Sequence, residues 1–197
     1  MTTLFDSFEN SKCLPAIQRL RLRHKNLGRV ITYKRNTSQT EELSIERILF
    51  LHKMLLSGIN DEIAGRFRKE NEYVRVGMFI APPPEHVEHR MKELLVTYTS
   101  DFSSYFLEKI AKFHLEFKTI HPFNDGNGRL GRVLSNYQLM RLGFPRIIIR
   151  QKDKHTYYHA FEAYRNDKKT KGMEHVFALA LTESLHKRIA YLRGETI

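Results

Sequence analysis

Two apolar series flank a short stretch rich in glycine and charge, and together they leave the chain few ways to fold. Ile110, Phe113, Phe117 and Ile120 recur at spacings of three and four, and Leu130, Val133, Leu134, Tyr137 and Met140 resume the helical rhythm. The intervening His121-Pro122-Phe123-Asn124-Asp125-Gly126-Asn127-Gly128-Arg129 must therefore close one helix and open another. Gly126-Asn127-Gly128 supplies the turn, so unpaired backbone N–H groups and the positive end of a helix dipole fall at one place. Such a place attracts anions.

The rest of the chain reads as helices with one hairpin. Leu14, Ile17, Leu20 and Leu22 outline a short helix over Cys13 to Lys25, ended by Gly28. Asn36-Thr37-Ser38-Gln39-Thr40-Glu41-Glu42-Leu43-Ser44 reads as a cap before an amphipathic helix built on Ile45, Ile48, Leu49, His52, Leu55 and Leu56 and closed by Gly58. A short element is expected over Asp61 to Arg68. Alternation of Tyr73 and Arg75 with Val74 and Val76 predicts a small hairpin from Glu72 to Ile80, with Gly77 at or near its turn. Pro82-Pro83-Pro84 then stops the strand and opens a helix. Further helices are expected over Val87 to Tyr98, Ser103 to Ile120, the glycine turn to about Gly143, Lys154 to Arg165, and Met173 to Leu192. The fold class is all-α, a helical bundle with one β-hairpin. Residues 1–35 read as an N-terminal extension with a short helix, and 36–197 as the domain.

Composition narrows the function classes. At 197 residues, 41% hydrophobic and 28% charged, the chain suits one well-buried core. No apolar run approaches the roughly 18 residues of a membrane span, and Met1 to Asp6 lacks the regions of a signal peptide, so a cytoplasmic location is expected. Cys13 is alone, which excludes an intrachain disulfide and a cysteine-built zinc site. The net charge of +11 raises nucleic acid as a partner. The basic clusters at Arg19 to Lys25 and Lys168 to Lys171 lack interleaved aromatics, however, which favours a solvated surface.

The loop holds what phosphate transfer needs. His121 can be neutral and proton-accepting at cellular pH. Asp125 can hold a divalent cation against phosphate oxygens, as Mg²⁺ prefers. Gly126, Asn127 and Gly128 can cradle phosphates, and Arg129 and Arg132 can neutralise them. Singly, each feature has an ordinary reading as a turn, a loop or a solvated helix face. Their order within one stretch is what departs from those readings. Elsewhere, His86 and His89 share a helix face but lack a third ligand, and His52 and His114 read as satisfied core or boundary histidines.

His121 to Arg132 resembles the signature of the Fic (filamentation-induced-by-cAMP) family, His-Pro-Phe-x-(Asp/Glu)-Gly-Asn-Gly-Arg-x-x-Arg, at every fixed position. Leu51-His52 through Gly65-Arg66-Phe67-Arg68, Val74-Arg75-Val76 and Pro82-Pro83-Pro84 resemble the family's helices leading into a β-hairpin flap. Tyr157-Tyr158 through Asn166-Asp167 resembles its nucleoside-side helix, with Tyr157, Tyr158 and Asn166 as candidate contacts. The resemblance implies a protein adenylyltransferase that moves AMP from ATP to a Tyr, Thr or Ser hydroxyl of a target protein. In it His121 is the base, Asp125 holds Mg²⁺, Gly126, Asn127 and Gly128 cradle the phosphates through backbone N–H groups and the Asn amide, Arg129 meets the β-phosphate and Arg132 the γ-phosphate. A kinase-like branch replaces Gly-Asn-Gly with bulkier residues, so Gly126 and Gly128 favour AMP transfer over phosphorylation.

Many family members carry an inhibitory (Ser/Thr)-x-x-x-Glu-(Gly/Asn) element whose Glu pairs with the second motif arginine. Asn36 to Glu42 resembles it, with Glu41 as the inhibitory residue and a departure at Glu42. An antitoxin-like partner or a homo-oligomer is the other regulatory expectation. Alternatives left open are a non-catalytic or nucleic-acid-associated nucleotide-binding module, a Fic-type phosphotransferase, and AMP removal.

Overall fold

The structure, a computed structural model, describes residues 15–37, 41–76 and 79–195. Its elements are α1 (Ala16–Thr37), α2 (Ile45–Leu56), β1 (Arg75–Val76), β2 (Phe79–Ile80), α3 (Val87–Ser100), α4 (Phe106–Ile120), α5 (Asn127–Arg141), α6 (Lys154–Asp167) and α7 (Lys171–Leu192). The two strands pair antiparallel, Arg75 with Ile80 and Val76 with Phe79. The expected turn residue Gly77 lies outside the described residues, as do Cys13 and Leu14. None of the described helices is long and apolar enough to cross a membrane.

Helix α4 is the axis of the bundle, packed against α3, α5, α6 and α7. One face places Phe113, Phe117 and Ile120 in a core shared with α1, α2, α3 and α5. The other places Leu107, Ile110, Ala111 and Leu115 in a second core shared with α6 and α7. Each fully buried Phe or Leu contributes about 1.5–3 kcal/mol of transfer free energy, so the end of α4, where His121 stands, is held from both sides. Gly131 lets α5 lie close on α4, because a methyl there would meet His114 Cε1 at 3.2 Å.

The N-terminal helix corrects the reading at Gly28. Helix α1 runs through that glycine to Thr37, and the boundary expected between 35 and 36 falls inside it. Ile17 and Leu20, the apolar residues expected to seat the helix, are exposed. The middle of the helix packs instead: Val30 is fully buried, and Asn26 donates to the carbonyls of Leu55 (3.2 Å) and Ser57 (2.8 Å), satisfying the C-terminal end of α2. Burial of Val30 and Asn26 carries the helix past a residue that by itself disfavours one. Over Asp61 to Arg68, where a short element is expected, the chain makes turns through Gly65.

Ser44 caps α2, its Oγ accepting from the Arg47 N–H. The proline run behaves as its φ restriction requires, with Pro84 opening a single 3₁₀ turn that leads into α3.

Candidate active site

His121 terminates α4 in a left-handed conformation, φ 51° and ψ 59°. This region costs a non-glycine residue about 1–2 kcal/mol, and the surroundings hold it there. The His121 N–H donates to the Phe117 carbonyl at 3.1 Å. Its own carbonyl accepts from Arg68 Nε at 2.9 Å. The ring Nδ1 lies 3.4 Å from the Lys118 carbonyl, which can only accept, so the proton belongs on Nδ1 and Nε2 keeps its lone pair. Burial, then the charge of Lys118, lowers the His121 pKa to about 4, while the Lys118 carbonyl works the other way. The group is thus a neutral base over the physiological range.

Arg68 is the residue the sequence reading missed. It is buried, and its guanidinium fans onto carbonyls from three segments: His121 (2.9 Å), Glu72 (3.0 Å) and Pro82 (2.8 Å), with Ile120 at 3.5 Å. Its backbone N–H also donates to the Pro122 carbonyl at 3.0 Å. One side chain therefore satisfies the end of α4 and ties the hairpin region to the loop. The only sequence signal is its place in Gly65-Arg66-Phe67-Arg68; nothing there names its acceptors.

The loop after His121 is braced from within and from below. Asn127 uses both ends of its amide on Phe123, accepting from its N–H (3.0 Å) and donating to its carbonyl (2.6 Å). This corrects the expectation that the Asn amide faces phosphate; what Asn127 offers an anion is its backbone N–H. The first rung of the α5 ladder is Leu130 N–H to Gly126 carbonyl at 2.8 Å, so the N–H groups of Asn127, Gly128 and Arg129 precede it. Gly126 has φ +86°, and a methyl there would also press on His52 and Leu56 at 3.4 Å. Beneath it, His52 Nδ1 accepts from the Gly65 N–H (3.0 Å). Its Nε2–H therefore donates to the Asp125 carbonyl (3.0 Å). The His52 ring stacks on Phe123 at 3.8 Å, and burial lowers its pKa to about 4. As expected, it is a satisfied core histidine, though one that holds the loop.

Asp125 turns one oxygen onto the Gly126 N–H (2.6 Å) and the other onto Arg129 Nη2 (3.1 Å) and Arg23 (3.5 Å). Arg129 Nη1 is buried and, among the described residues, has no hydrogen-bond partner. An unsatisfied buried cationic nitrogen is costly, and an anion at the helix start would satisfy it. Arg132 follows one turn on, exposed, and interacts with the Tyr157 hydroxyl.

The nucleoside-side residues separate. Tyr157 is buried in the second core, its hydroxyl 2.7 Å from His114 Nε2, and burial raises its pKa to about 12. His114 Nδ1 lies 2.9 Å from Ser135 Oγ, which donates onward to the Gly131 carbonyl at 3.0 Å. Tyr158 is half exposed and Asn166 is exposed at the end of α6. The three sit on one helix, with Tyr157 tied to α4 and α5.

Glu41 and Arg132 are not brought together, which corrects the expected inhibitory pair. The Glu41 carboxylate pairs with Arg47 and accepts from the Tyr33 hydroxyl at 3.2 Å. Its carbonyl accepts from Tyr137 (2.5 Å) and Arg141 (2.8 Å). Those residues lie five and nine positions beyond Arg132, roughly 7–14 Å along the helix at a rise of about 1.5 Å each. Glu42 pairs with Arg141 at 2.9 Å. The acidic pair is anchored at the wrong end of α5 for a phosphate site, and residues 38–40 lie outside the described residues.

The hairpin leaves its apolar side chains outside. Tyr73, Val76 and Ile80 are exposed, and Phe79 sits under the Arg165 guanidinium at 4.7 Å. Among the described residues, no cluster of three or more His, Cys, Asp or Glu side chains is placed to hold a metal ion. A cation at Asp125 would therefore depend on phosphate oxygens and water.

A family model described as the Fic/DOC family matches residues 42–139. The protein adenylyltransferase fic-1 of Caenorhabditis elegans is 35% identical over 125 residues, covering 62% of this chain and 24% of that protein. The protein adenylyltransferase Fic of Nematostella vectensis is 35% identical over 136 residues, covering 67% of this chain and 31% of that protein. The chain thus spans about a quarter to a third of the length of these relatives. A Fic-domain-containing signaling protein from Bacteroides thetaiotaomicron shares the fold at a TM-score of 0.77 with 21% identity, over 96% of this chain and 78% of that one. A structure of Caenorhabditis elegans Fic-1 does so at 0.77 with 24% identity, over 98% of this chain and 55% of that one.

Proposed function

The chain belongs to the Fic/DOC family, and from that premise we propose that it is a protein adenylyltransferase, moving AMP from ATP to a Tyr, Thr or Ser hydroxyl of a target protein. The observation that carries the reading is a neutral base, His121, fixed one loop away from a helix start that combines free N–H groups with the unsatisfied Arg129 Nη1. A base, an anion cradle and a cation on the leaving side are what in-line nucleotidyl transfer requires.

His121 Nε2 takes the target hydroxyl's proton as the oxygen bonds to the α-phosphorus. The bond from that phosphorus to the bridging oxygen breaks, and diphosphate departs. Backbone N–H groups of Asn127, Gly128 and Arg129 hold phosphate oxygens, while Arg129 and Arg132 offset charge on the leaving group. Asp125 is the residue that would hold Mg²⁺: its carboxylate is a hard oxygen donor and its side chain is 47% exposed. The bound ion would supply charge neutralisation for the diphosphate. Arg129 and Arg23, which share the Asp125 carboxylate, would give up that contact.

The target would add a strand to the hairpin. β1 and β2 together form a two-stranded ribbon, with no third strand paired to it among the described residues, and an extended target segment would lie along its edge. Arg68 links that ribbon's flanks, at Glu72 and Pro82, to the His121 carbonyl. The ribbon and the base are thus held in one frame.

The test is incubation with α-labelled and γ-labelled ATP, wild type beside His121→Ala. The reading expects transfer of the α-label alone, lost in the variant while ATP still binds. Transfer of the γ-label would make the protein a phosphotransferase, and undiminished α-transfer by His121→Ala would remove the base. In the same assay, substitutions between Tyr73 and Val76 that block strand addition should lower transfer to the target more than they weaken ATP binding; equal losses would make the hairpin structural.

A further inference from the structure

Lys118 sits three residues before His121 on the last turn of α4, and its side chain is placed unlike an ordinary helix-end lysine. Such a lysine extends into water or onto the last carbonyls, where the helix dipole favours it. Lys118 is instead half-buried, with its ammonium 5.5 Å from the centre of the Phe161 ring. A methyl built on Gly128 would stand 3.7 Å from both Lys118 Nζ and Arg132 Nη1, so the two cations flank the start of α5 together. Among the described residues, neither has a carboxylate partner. Arg129, on the same turn, has one nitrogen buried and unpartnered. Three cations gathered at a helix start without sufficient counter-charge repel one another, and an anion there would relieve the repulsion.

We propose that Lys118 is a phosphate-binding residue, contacting the nucleotide's phosphate chain beside the Gly128 backbone and Arg132. It is a third side-chain cation of the site, supplied by α4 from outside the loop motif. The ligand class rests on the adenylyltransferase reading; the anion site itself rests on the geometry. One turn of α4 then carries the base, the carbonyl that orients it and a phosphate contact. Both burial and Arg132 depress the Lys118 pKa, as a neighbouring cation would, and Lys118 in turn disfavours a proton on His121.

Calorimetric titration of wild type, Lys118→Met and Lys118→Arg with ATP, ADP and adenosine tests this. Methionine keeps the packing on Phe161 without the charge. The expected result is about a tenfold or greater loss of ATP and ADP affinity in Lys118→Met, equivalent to about 1.4 kcal/mol, with adenosine binding unchanged and most of the loss recovered by arginine. Should the methionine variant unfold, Lys118→Gln carries the same expectation. Unchanged ATP affinity, an equal loss for adenosine, or failure of the wild type to bind ATP would each overturn the proposal. The two readings fail separately. Lys118-dependent ATP binding in a protein that transfers no AMP keeps this site and removes the reaction, whereas AMP transfer with Lys118-independent binding does the reverse.

Discussion

Arg68→Met should be among the most damaging single substitutions in the protein, for stability and for catalysis alike. The guanidinium makes three bonds of 2.8–3.0 Å, to the carbonyls of His121, Glu72 and Pro82. Hydrogen bonds to a charged group are worth about 1.5–3 kcal/mol each in net terms, and a stranded buried carbonyl costs roughly 1–3 kcal/mol. Desolvation of the guanidinium, visible as its lowered pKa, offsets part of that gain. Balancing these gives a loss of about 3–5 kcal/mol, or roughly 6–20 °C in Tm for a chain of this size. Lysine should not rescue, since an ammonium cannot present the planar fork that reaches all three acceptors. Urea denaturation reads the stability term. Labelled-ATP transfer per folded molecule, measured well below the variant's transition, reads the positioning of His121. A displacement of the order of 1 Å there should lower the rate by about 10²-fold. A stability loss under about 1 kcal/mol would refute the bond accounting. A large loss with an unchanged rate per folded molecule would show that Arg68 supports the fold without orienting the base.

The left-handed conformation of His121 predicts that His121→Gly is about 1 kcal/mol more stable than His121→Ala in chemical denaturation, since both lose the ring and only glycine enters that region freely; equal stabilities would count against the strain. The three buried or half-buried histidines set a pH window. Folding lowers the pKa of His52 to about 4, of His114 to about 3 and of His121 to about 4, each chiefly through burial. The unfolded chain, with ordinary values near 6.5, binds more protons below that pH, so stability is full above about 6.5 and falls as pH drops towards about 4. Three carboxylates have depressed pKa values, Glu46 together with Glu72 and Asp101, the last two at about 2, and their contributions are lost only as pH falls through the ordinary carboxylate range and below. Unfolding free energies that stay level between pH 7 and 5 would contradict the histidine account.

Several elements were legible because their signals are local. The spacing of Ile110, Phe113, Phe117 and Ile120 encodes α4 and its buried face, and the glycine turn encodes the start of α5. Alternation followed by three prolines encodes the hairpin and its stop. Gly28 misled as a helix end because the packing of Val30 and Asn26, set by α2, outweighs one glycine. The Asn127 amide misled because Phe123, four residues earlier, turns back to meet both of its ends.

The chemistry of the loop was written in twelve consecutive residues, His121 to Arg132, and its identity did not wait on the structure. Residue type alone offers a candidate base, a hard oxygen donor, a glycine turn at a helix start and two cations, the set on which the proposed function rests. What surrounds them depends on contacts between distant segments: Arg68 reaches His121 across 53 residues and His52 reaches Asp125 across 73. The same long-range packing sends Glu41 to Tyr137 and Arg141, across 96 and 100 residues, and away from Arg132. Periodicity specifies which face of a helix is buried, but not which acceptor a guanidinium finds once distant segments have closed around it. That choice belongs to the packed core, where the cost of an unpaired buried carbonyl or cation selects one arrangement of partners.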